Sequence, residues 1–272
     1  MNAIKCFLCG LVLCAPLWAL EPTLPPGRIQ FKLDFSLFDA DEYLDRRKIK
    51  TPISTLSPYD EFEAREGKFT VNYGWGEGIT LVSETTWRDQ ELSGAADSPT
   101  ASGVTGVYLA MRQTLSGTRD GTRFMAETGV WYPVEADQDE AFAFEYEALN
   151  WVFVASYNQD FFPTSGGFEM DLGYRFRNEA PDDEYFFDTA LRLNVPLIGS
   201  LRVHYHVVES KDRTTTDYPV TAYPLDRGSQ ILGLSLERKI GRLDVRVGYE
   251  TTVAGRNQFD HSGLKFGLSW MR

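Results

Sequence analysis

Apolar and polar residues alternate with a period of two through most of the chain after residue 28. In the most regular segment, Phe168, Met170, Leu172, Tyr174 and Phe176 alternate with glutamate, aspartate, glycine and arginine. Successive side chains of a β-strand point to opposite faces of the sheet, so this pattern predicts strands with one apolar face. About twelve such segments of roughly nine to eleven residues follow one another, with no amphipathic helix between them. Their apolar rows start at Ile29, Phe69, Ile79, Val107, Phe124, Leu149, Phe168, Tyr185, Leu201, Leu232, Leu243 and Leu264.

The connections between these segments alternate in length. Short turns such as 76–78 and 239–242 are interleaved with longer polar stretches such as 39–67, 89–103 and 209–228. Short turns at one end of a sheet and long loops at the other are typical of an up-and-down meander. No linker or internal repeat divides the series, so we expect a single domain over residues 21–272.

Residues 1–20 have the layout of a secretory signal peptide. Lys5 gives a positive start, an apolar run follows, and the segment ends in Ala19-Leu20, near which we expect cleavage. A first core helix is one alternative. A lipoprotein acylated at Cys14 is another, which the bulky Leu13 before it disfavours. The three cysteines lie at positions 6, 9 and 14, so the predicted mature chain has no disulfide, thiolate metal site or cysteine nucleophile.

The surroundings of the apolar face decide between two all-β architectures. A soluble β-protein buries that face in a core, whereas a membrane barrel turns it towards lipid and lines its lumen with polar groups. The segments exceed the roughly five or six residues usual in soluble sheets and match a tilted membrane strand. Aromatic residues near the strand ends fit the girdles of a membrane barrel: Trp75, Trp87, Tyr132, Tyr157, Tyr185, Tyr249 and Trp270.

These features predict an all-β fold, a single up-and-down antiparallel transmembrane β-barrel of about twelve strands in the outer membrane of a Gram-negative cell. A secreted soluble β-protein stays open as the alternative. Composition narrows the function classes further. The chain has 272 residues and a net charge of −12, which argues against a nucleic-acid partner because phosphate binding needs a basic surface. Aromatic residues make up 14% of the chain, too many for a disordered protein.

Two parts of the sequence resemble known outer-membrane proteins. The segment Gly-Leu-Lys-Phe-Gly-Leu-Ser-Trp at 263–270 resembles the closing strand of bacterial outer-membrane barrels, which the barrel-assembly machinery reads. The family places an aromatic residue last, whereas Met271 and Arg272 follow here. Residues 69–81 and the Tyr-Arg-Phe-Arg-Asn motif at 174–178 resemble porin-like barrels associated with aromatic-compound (phenol meta-pathway) degradation. This resemblance implies a passive channel or uptake barrel for small molecules, including hydrophobic ones.

Charged residues on the polar faces are the candidate lining of the lumen. They are Lys32, Asp34, Glu84, Arg112, Glu127, Glu169, Asp171, Arg175, Arg177, Asp188, Arg192, Arg202, His204, His206, Asp244, Arg246, Glu250 and Lys265. One interpretation is that these charges pair across the lumen and keep it narrow, since buried charges need partners. The other is an open polar pore whose arginines select anions.

Two further features bear on chemistry. The acidic stretch 135–147 has no basic residue, so it is either a solvated loop or, if extracellular, a place where divalent cations bridge to lipopolysaccharide phosphates. His204 and His206 share one strand face, but the sequence offers no third metal ligand. No nucleophile motif or acid pair accompanies them. We therefore expect no enzyme activity, no metal and no cofactor.

The predicted function is an outer-membrane channel or transporter-like barrel for small solutes. A structural or export-associated barrel with a plugged lumen, as in a surface-polysaccharide or biofilm system, is the main alternative. An outer-membrane lipid hydrolase is a third. The expected partners are outer-membrane lipid and lipopolysaccharide, the barrel-assembly machinery and a small-molecule solute, with no nucleic acid.

Overall fold

The computed structural model describes residues 21–45, 47–94, 98–117, 121–134, 137–138, 150–161, 166–177, 183–211 and 228–272. The predicted signal peptide and most of the acidic stretch 135–147 lie outside these residues. In chain order the elements are β1 (Ile29–Ala40), β2 (Glu42–Leu44), β3 (Lys50–Pro52), α1 (Ile53–Leu56), β4 (Tyr59–Gly76), β5 (Ile79–Gly94), β6 (Thr100–Gly117), β7 (Thr122–Pro133), β8 (Asp137–Gln138), β9 (Asn150–Phe161), β10 (Gly166–Arg177), β11 (Glu184–Val195), β12 (Gly199–Ser210), β13 (Gly228–Ile240), β14 (Leu243–Arg256), β15 (Gln258–Phe259) and β16 (Ser262–Met271).

Twelve of these strands, all except β2, β3, β8 and β15, form one closed antiparallel sheet. Each long strand pairs with the long strands before and after it in the chain. β1 and β16 close the ring through an antiparallel register that runs from Gln30↔Met271 to Asp39↔Ser262. The predicted all-β, up-and-down barrel of twelve strands is therefore confirmed. We call the space that this sheet encloses the lumen.

The two ends of the barrel differ, as the alternating connection lengths predict. Tight turns such as 77–78 and 241–242 join strands at the end we call the short-turn end. The first residue of β1 and Arg272 lie next to each other there, because the Ile29 amide donates to the Arg272 carbonyl and the Arg272 amide to the Ile29 carbonyl. The longer connections gather at the opposite, long-loop end. No helix among the described residues is long and apolar enough to cross a membrane.

Three strands are longer than the alternation predicts. β4, β5 and β6 have 18, 16 and 18 residues, whereas the other nine long strands have between 10 and 14. The expected loops 39–67 and 89–103 are therefore wrong in part, since β4 begins at Tyr59 and β5 continues to Gly94. Charged residues occupy both faces of these extensions, which hides the period of two. The extensions pass beyond the neighbouring strands at the long-loop end.

The long connection between β1 and β4 folds back over the barrel rather than remaining a polar loop. β2, β3 and β15 form a small three-stranded sheet, and α1, a single turn of four residues, follows β3. Their apolar side chains form a group that we call the cap cluster: Ala40, Tyr43, Ile53, Phe62, Ala64, Leu92, Ala101 and Phe259. The rings of Phe62 and Phe259 stack at its centre with centroids 4.1 Å apart. The small sheet and α1 are thus packed through apolar side chains against β1, β4, β5 and β6 at the long-loop end.

A second apolar group lies inside the barrel, on the inner faces of β6, β7, β9, β11 and β12. This side cluster consists of Tyr108, Met125, Trp131, Val152, Val154, Phe186 and Val208. It explains why the alternation is imperfect in β7, where Met125 and Trp131 share the inner face with Glu127. Glycine makes room for the Phe186 ring, since a Cβ at Gly173 would lie 2.0 Å from Cζ of Phe186.

Candidate functional site: the charged lumen

The two faces of the barrel have opposite polarity. On the outer face, Phe153 and Leu234 are each 50% exposed, and many other large apolar side chains are similarly open. On the inner face, Asp171, Glu127 and Lys265 are only 0%, 3% and 5% exposed. A soluble protein has the reverse arrangement, with charges outside and apolar groups inside. This polarity is the one expected where lipid surrounds the wall.

All eighteen predicted lumen residues occupy inner-face positions of their strands. Most of them have an acidic or basic partner, which lies on a neighbouring strand, two strands away or on the segment before β1. Arg112 and Glu127 form one such pair, with Nη2 and Oε2 2.8 Å apart, and Tyr108 also donates to Glu127 at 2.9 Å. Lys265 and Glu250 form another, with Nζ and Oε1 2.7 Å apart. These contacts are ion pairs between residues of the barrel wall. A path for solutes along them stays a proposal.

Further pairs line the wall towards its two ends. Near the long-loop end, the guanidinium groups of Arg175 and Arg177 both contact Glu184, at 3.0 and 2.7 Å. Asp188 and His206 are hydrogen-bonded directly across β11 and β12. The remaining predicted residues have these partners: His204 contacts Glu250 at 3.6 Å, Arg202 contacts Glu169 at 2.8 Å, Arg192 contacts Asp160 at 2.6 Å, Arg246 contacts Glu237 at 3.7 Å, and Glu84 accepts from Thr70 at 3.3 Å. Asp171 lies opposite Asp188, and Asp244 lies opposite Lys239.

The inner faces of β1, β4, β14 and β16 form a continuous charged wall, away from the side cluster. Its members are Lys32, Asp34, Glu66, Lys68, Asp244, Arg246, Glu250 and Lys265. Lys68 contacts Glu66 at 2.9 Å, and Arg88 of β5 contacts the other oxygen of the same carboxylate at 2.7 Å. Basic and acidic groups balance along this wall, so we expect weak intrinsic charge selectivity. Glu66, Lys68 and the partners Asp160, Glu184 and Glu237 are absent from the sequence-based set.

The segment before β1 enters the barrel. Residues 21–28, which we call the N-terminal strap, lie against the inner faces of β4, β5 and β6 at the short-turn end. The Leu24 amide donates to Oγ1 of Thr80 at 2.7 Å, and the hydroxyls of Thr23 and Thr114 are 2.7 Å apart. Gly74 permits this close approach, because a Cβ there would lie 2.1 Å from the carbonyl oxygen of Pro25.

Glu21 holds the far end of the strap. Its carboxylate lies 2.6 Å from Nζ of Lys32, and its carbonyl accepts from Nη1 of Arg112 at 3.1 Å. Burial favours the neutral acid, but the positive charges of Lys32, Arg112 and Arg246 outweigh it and lower the pKa of Glu21 to about 2. The strap therefore presents an ionised carboxylate to the lumen at neutral pH.

At the long-loop end, an ion pair fastens the cap. Lys50 of β3 contacts Asp260, which follows β15, and also lies 3.7 Å from Glu42 of β2. The hydrogen bond to Asp260 raises the pKa of Lys50, so this lysine stays charged. The contact ties the connection between β1 and β4 to the connection between β14 and β16. Because Lys50 is about half exposed, the pair contributes little to stability by itself.

The outer wall also carries a feature that the sequence does not predict. A groove of about 840 Å³ crosses the outer faces of β6 to β13, and its lining is mostly apolar. Phe153, Leu172 and Phe187 line it together with the small side chains of Ala126 and Ala155. Four inner-face residues also border it: Glu127, Val154, Gly173 and Phe186.

The three histidines of the chain lie in separate environments. Among the described residues, no three histidine, cysteine, aspartate or glutamate side chains converge closely enough to hold a metal ion. His204 and His206 are directed to different acidic partners, Glu250 and Asp188. His261 contacts the hydroxyl of Thr252 at 3.2 Å. The residues that sequence reasoning missed, above all Glu21, form ion pairs in the lumen.

No protein-family model matches the chain, and no curated protein matches it either. Solved structures do. The COG4313 outer-membrane channel from Pseudomonas putida F1 superposes with a TM-score of 0.75 at 11% identity, covering 96% of this chain and 100% of that one. Two weaker likenesses are the translocator domain of the autotransporter NalP from Neisseria meningitidis (TM-score 0.48, 13% identity, 91% and 89% covered) and the KdgM porin (0.48, 9%, 88% and 98%). The chain thus has an outer-membrane β-barrel fold, and at 11% identity the likeness concerns the fold alone.

Proposed function

We propose that this protein is an outer-membrane channel through which small solutes cross along the charged wall of the lumen. The observation that carries the proposal is the inverted polarity of a closed barrel, with buried charges inside and exposed apolar side chains outside. Lining groups of both signs offer hydrogen bonds to polar solutes in place of water, which is how a narrow pore selects what passes.

The proposal includes the surroundings of the barrel. The apolar outer face contacts outer-membrane lipid, and the charged extensions of β4 to β6 lie beside the lipopolysaccharide headgroups. Export through the periplasm and insertion by the barrel-assembly machinery are part of the same proposal. A role in the degradation of aromatic compounds rests on the short motifs at 69–81 and 174–178. It is tested by growth of a deletion strain on phenol at a limiting concentration.

The test of channel function is the conductance of the refolded protein in a planar lipid bilayer. The protein is expressed from residue 21, folded in detergent and checked for heat-modifiable migration on a gel before it is added. We expect discrete current steps that increase linearly with voltage. A protein that inserts but shows no steps would contradict the proposal.

Two variants on one strand locate the solute path. Lys68→Gln removes a positive charge from the inner face of β4, so we expect the reversal potential in a salt gradient to shift towards cation selectivity. Glu66 keeps its contact with Arg88 in this variant, which preserves the local structure. Arg65→Gln removes the same charge three residues away, on the outer face, where Arg65 is 59% exposed. Equal reversal potentials for the two variants would place the solute path elsewhere.

A structural or export-associated barrel is the second candidate, and the two apolar clusters favour it. The cap cluster packs apolar side chains together at the long-loop end beside β1, β4, β5 and β6, and the side cluster places apolar side chains in the lumen. Buried apolar groups in a lumen exclude water and stabilise the barrel. If the inserted protein is silent and stays silent when the cap is weakened by Phe259→Ala, the structural role becomes the better account.

A further inference from the structure

The N-terminal strap places a carboxylate of the chain against a cluster of positive charges in the lumen. Lys32 of β1, Arg112 of β6 and Arg246 of β14 surround Glu21 from different parts of the barrel wall. We propose that Lys32, supported by Arg112, is a binding site for the carboxylate of small organic anions, and that Glu21 is a tethered occupant which closes this site. The proposal deepens the channel function and rests on it.

The ion pairs show which cation the strap neutralises. Arg112 keeps a second carboxylate when the strap leaves, because Glu127 lies 2.8 Å from its guanidinium group. Glu21 is the ion-pair partner of Lys32 among the described residues. Displacement of the strap therefore exposes one uncompensated ammonium group at the short-turn end of the lumen. A carboxylate restores the same charge-assisted hydrogen bond that Glu21 makes.

The strap is built to separate from the wall. Its sequence, Glu-Pro-Thr-Leu-Pro-Pro-Gly-Arg at 21–28, contains three prolines, whose ring nitrogens donate no hydrogen bond to a sheet. Its last residues are joined to β4 by two backbone hydrogen bonds, because the Gly27 amide donates to the Gly74 carbonyl and the Gly74 amide donates to the Arg28 carbonyl. Residues 21–24 are held through individual contacts with Thr80, Thr114, Lys32 and Arg112. Such contacts break one at a time, whereas a strand of the barrel wall loses its whole register at once.

A disulfide lock tests whether the strap controls the current. The hydroxyls of Thr23 and Thr114 are 2.7 Å apart, so sulfur atoms in their places come near the bond length of about 2.0 Å. The chain has no cysteine after position 14, so Thr23→Cys with Thr114→Cys supplies the only thiol pair of a protein that starts at residue 21. We expect the oxidised double variant to insert without conducting, and a reductant to restore the wild-type current. Equal currents before and after reduction would overturn the proposal.

A glycine pair on β4 displaces the strap without changing any charge. A Cβ at Gly74 would collide with the Pro25 carbonyl, whereas a Cβ at Gly76 has no atom within 4 Å. Gly76 lies two residues further along β4, past a shift in the strand register, so Gly76→Ala adds the same methyl group away from the strap and serves as the control. We expect Gly74→Ala to raise the open probability by about tenfold, the size of effect that follows from losing a few hydrogen bonds. An equal open probability in the two variants would contradict the role of the strap.

The ligand class is tested in the Gly74→Ala background with acetate as the probe. Chloride is replaced by acetate on one side of the bilayer, and the shift in reversal potential gives the relative permeability. We expect acetate to be favoured over chloride, and Lys32→Gln to abolish that preference. Arg65→Gln on the outer face of β4 should keep it. An acetate preference that survives Lys32→Gln would overturn the anion site.

The failure of this inference is distinguishable from the failure of the channel itself. If Gly74→Ala and the reduced cysteine variant insert but never conduct, the channel function is wrong. If they conduct and the lock or Lys32→Gln changes nothing, the channel stands and the strap site is wrong. Heat-modifiable migration of each variant confirms that the barrel has folded in every case.

Discussion

The orientation of the two faces is tested most directly by one arginine on the outer wall. Leu234 is the seventh of the thirteen residues of β13 and is 50% exposed, so it lies near mid-height with its side chain outside. If the barrel spans a bilayer, Leu234→Arg places a guanidinium in hydrocarbon. Arginine at the midplane of a membrane barrel costs about 2–4 kcal/mol. At about 1.4 kcal/mol per factor of ten, the folding equilibrium falls by roughly thirty- to seven-hundredfold.

The matched control is Ile49→Arg. Ile49 is 53% exposed and lies in the connection before β3, so the substitution has the same chemistry and similar exposure but lies outside the barrel wall. Both variants are folded into lipid vesicles at several urea concentrations, and the folded fraction is read from heat-modifiable migration. We expect a lower urea midpoint for Leu234→Arg and a wild-type midpoint for Ile49→Arg. Wild-type midpoints for both would refute the assignment of lipid to the outer face.

Two further predictions concern the inner face. Gly173→Ala forces a Cβ to within 2.0 Å of the Phe186 ring and should lower the free energy of unfolding by about 1–3 kcal/mol. The double variant with Phe186→Leu should recover much of this loss. An unchanged free energy of unfolding in Gly173→Ala would argue against the packing of the side cluster. Glu127→Gln leaves Arg112 without its buried partner and should cost about 3–5 kcal/mol in the same urea assay. Glu77→Gln, in an exposed turn, should change the free energy of unfolding by less than about 0.5 kcal/mol. Equal urea midpoints for Glu127→Gln and Glu77→Gln would contradict this prediction.

The period of two carries most of the information about this fold. All twelve long strands start within a few residues of an alternating segment, except β4 and β6, which begin seven or more residues earlier. Alternation works in the wall because each side chain meets either lipid or the lumen. It fails in the extensions, where charged residues occur on both faces: Glu63 and Arg65 face outward, and Glu66 faces inward.

The parts that fill the lumen were harder to predict, because they depend on contacts between distant segments. In the sequence, the strap is a short proline-rich segment between the predicted signal peptide and β1. The residues next to Glu21 do not indicate that Lys32 and Arg112 contact it. The cap gave a weak signal, since Tyr43 and Ile53 are apolar residues in an otherwise polar stretch. Which wall residue pairs with which depends on strand register, and register becomes visible only when the sheet is closed.

The join between β1 and β16 has a consequence for the order of assembly. Every other long-strand pairing links neighbours in the chain, whereas this one brings together residues as far apart as Gln30 and Met271. Contacts between distant residues carry the largest loop-closure entropy and slow folding. We therefore expect the seam to form last, from an open sheet with two unpaired edges. Unpaired strand edges are unfavourable in hydrocarbon. We therefore expect the twelve strands to become stable in the membrane together, when β16 pairs with β1.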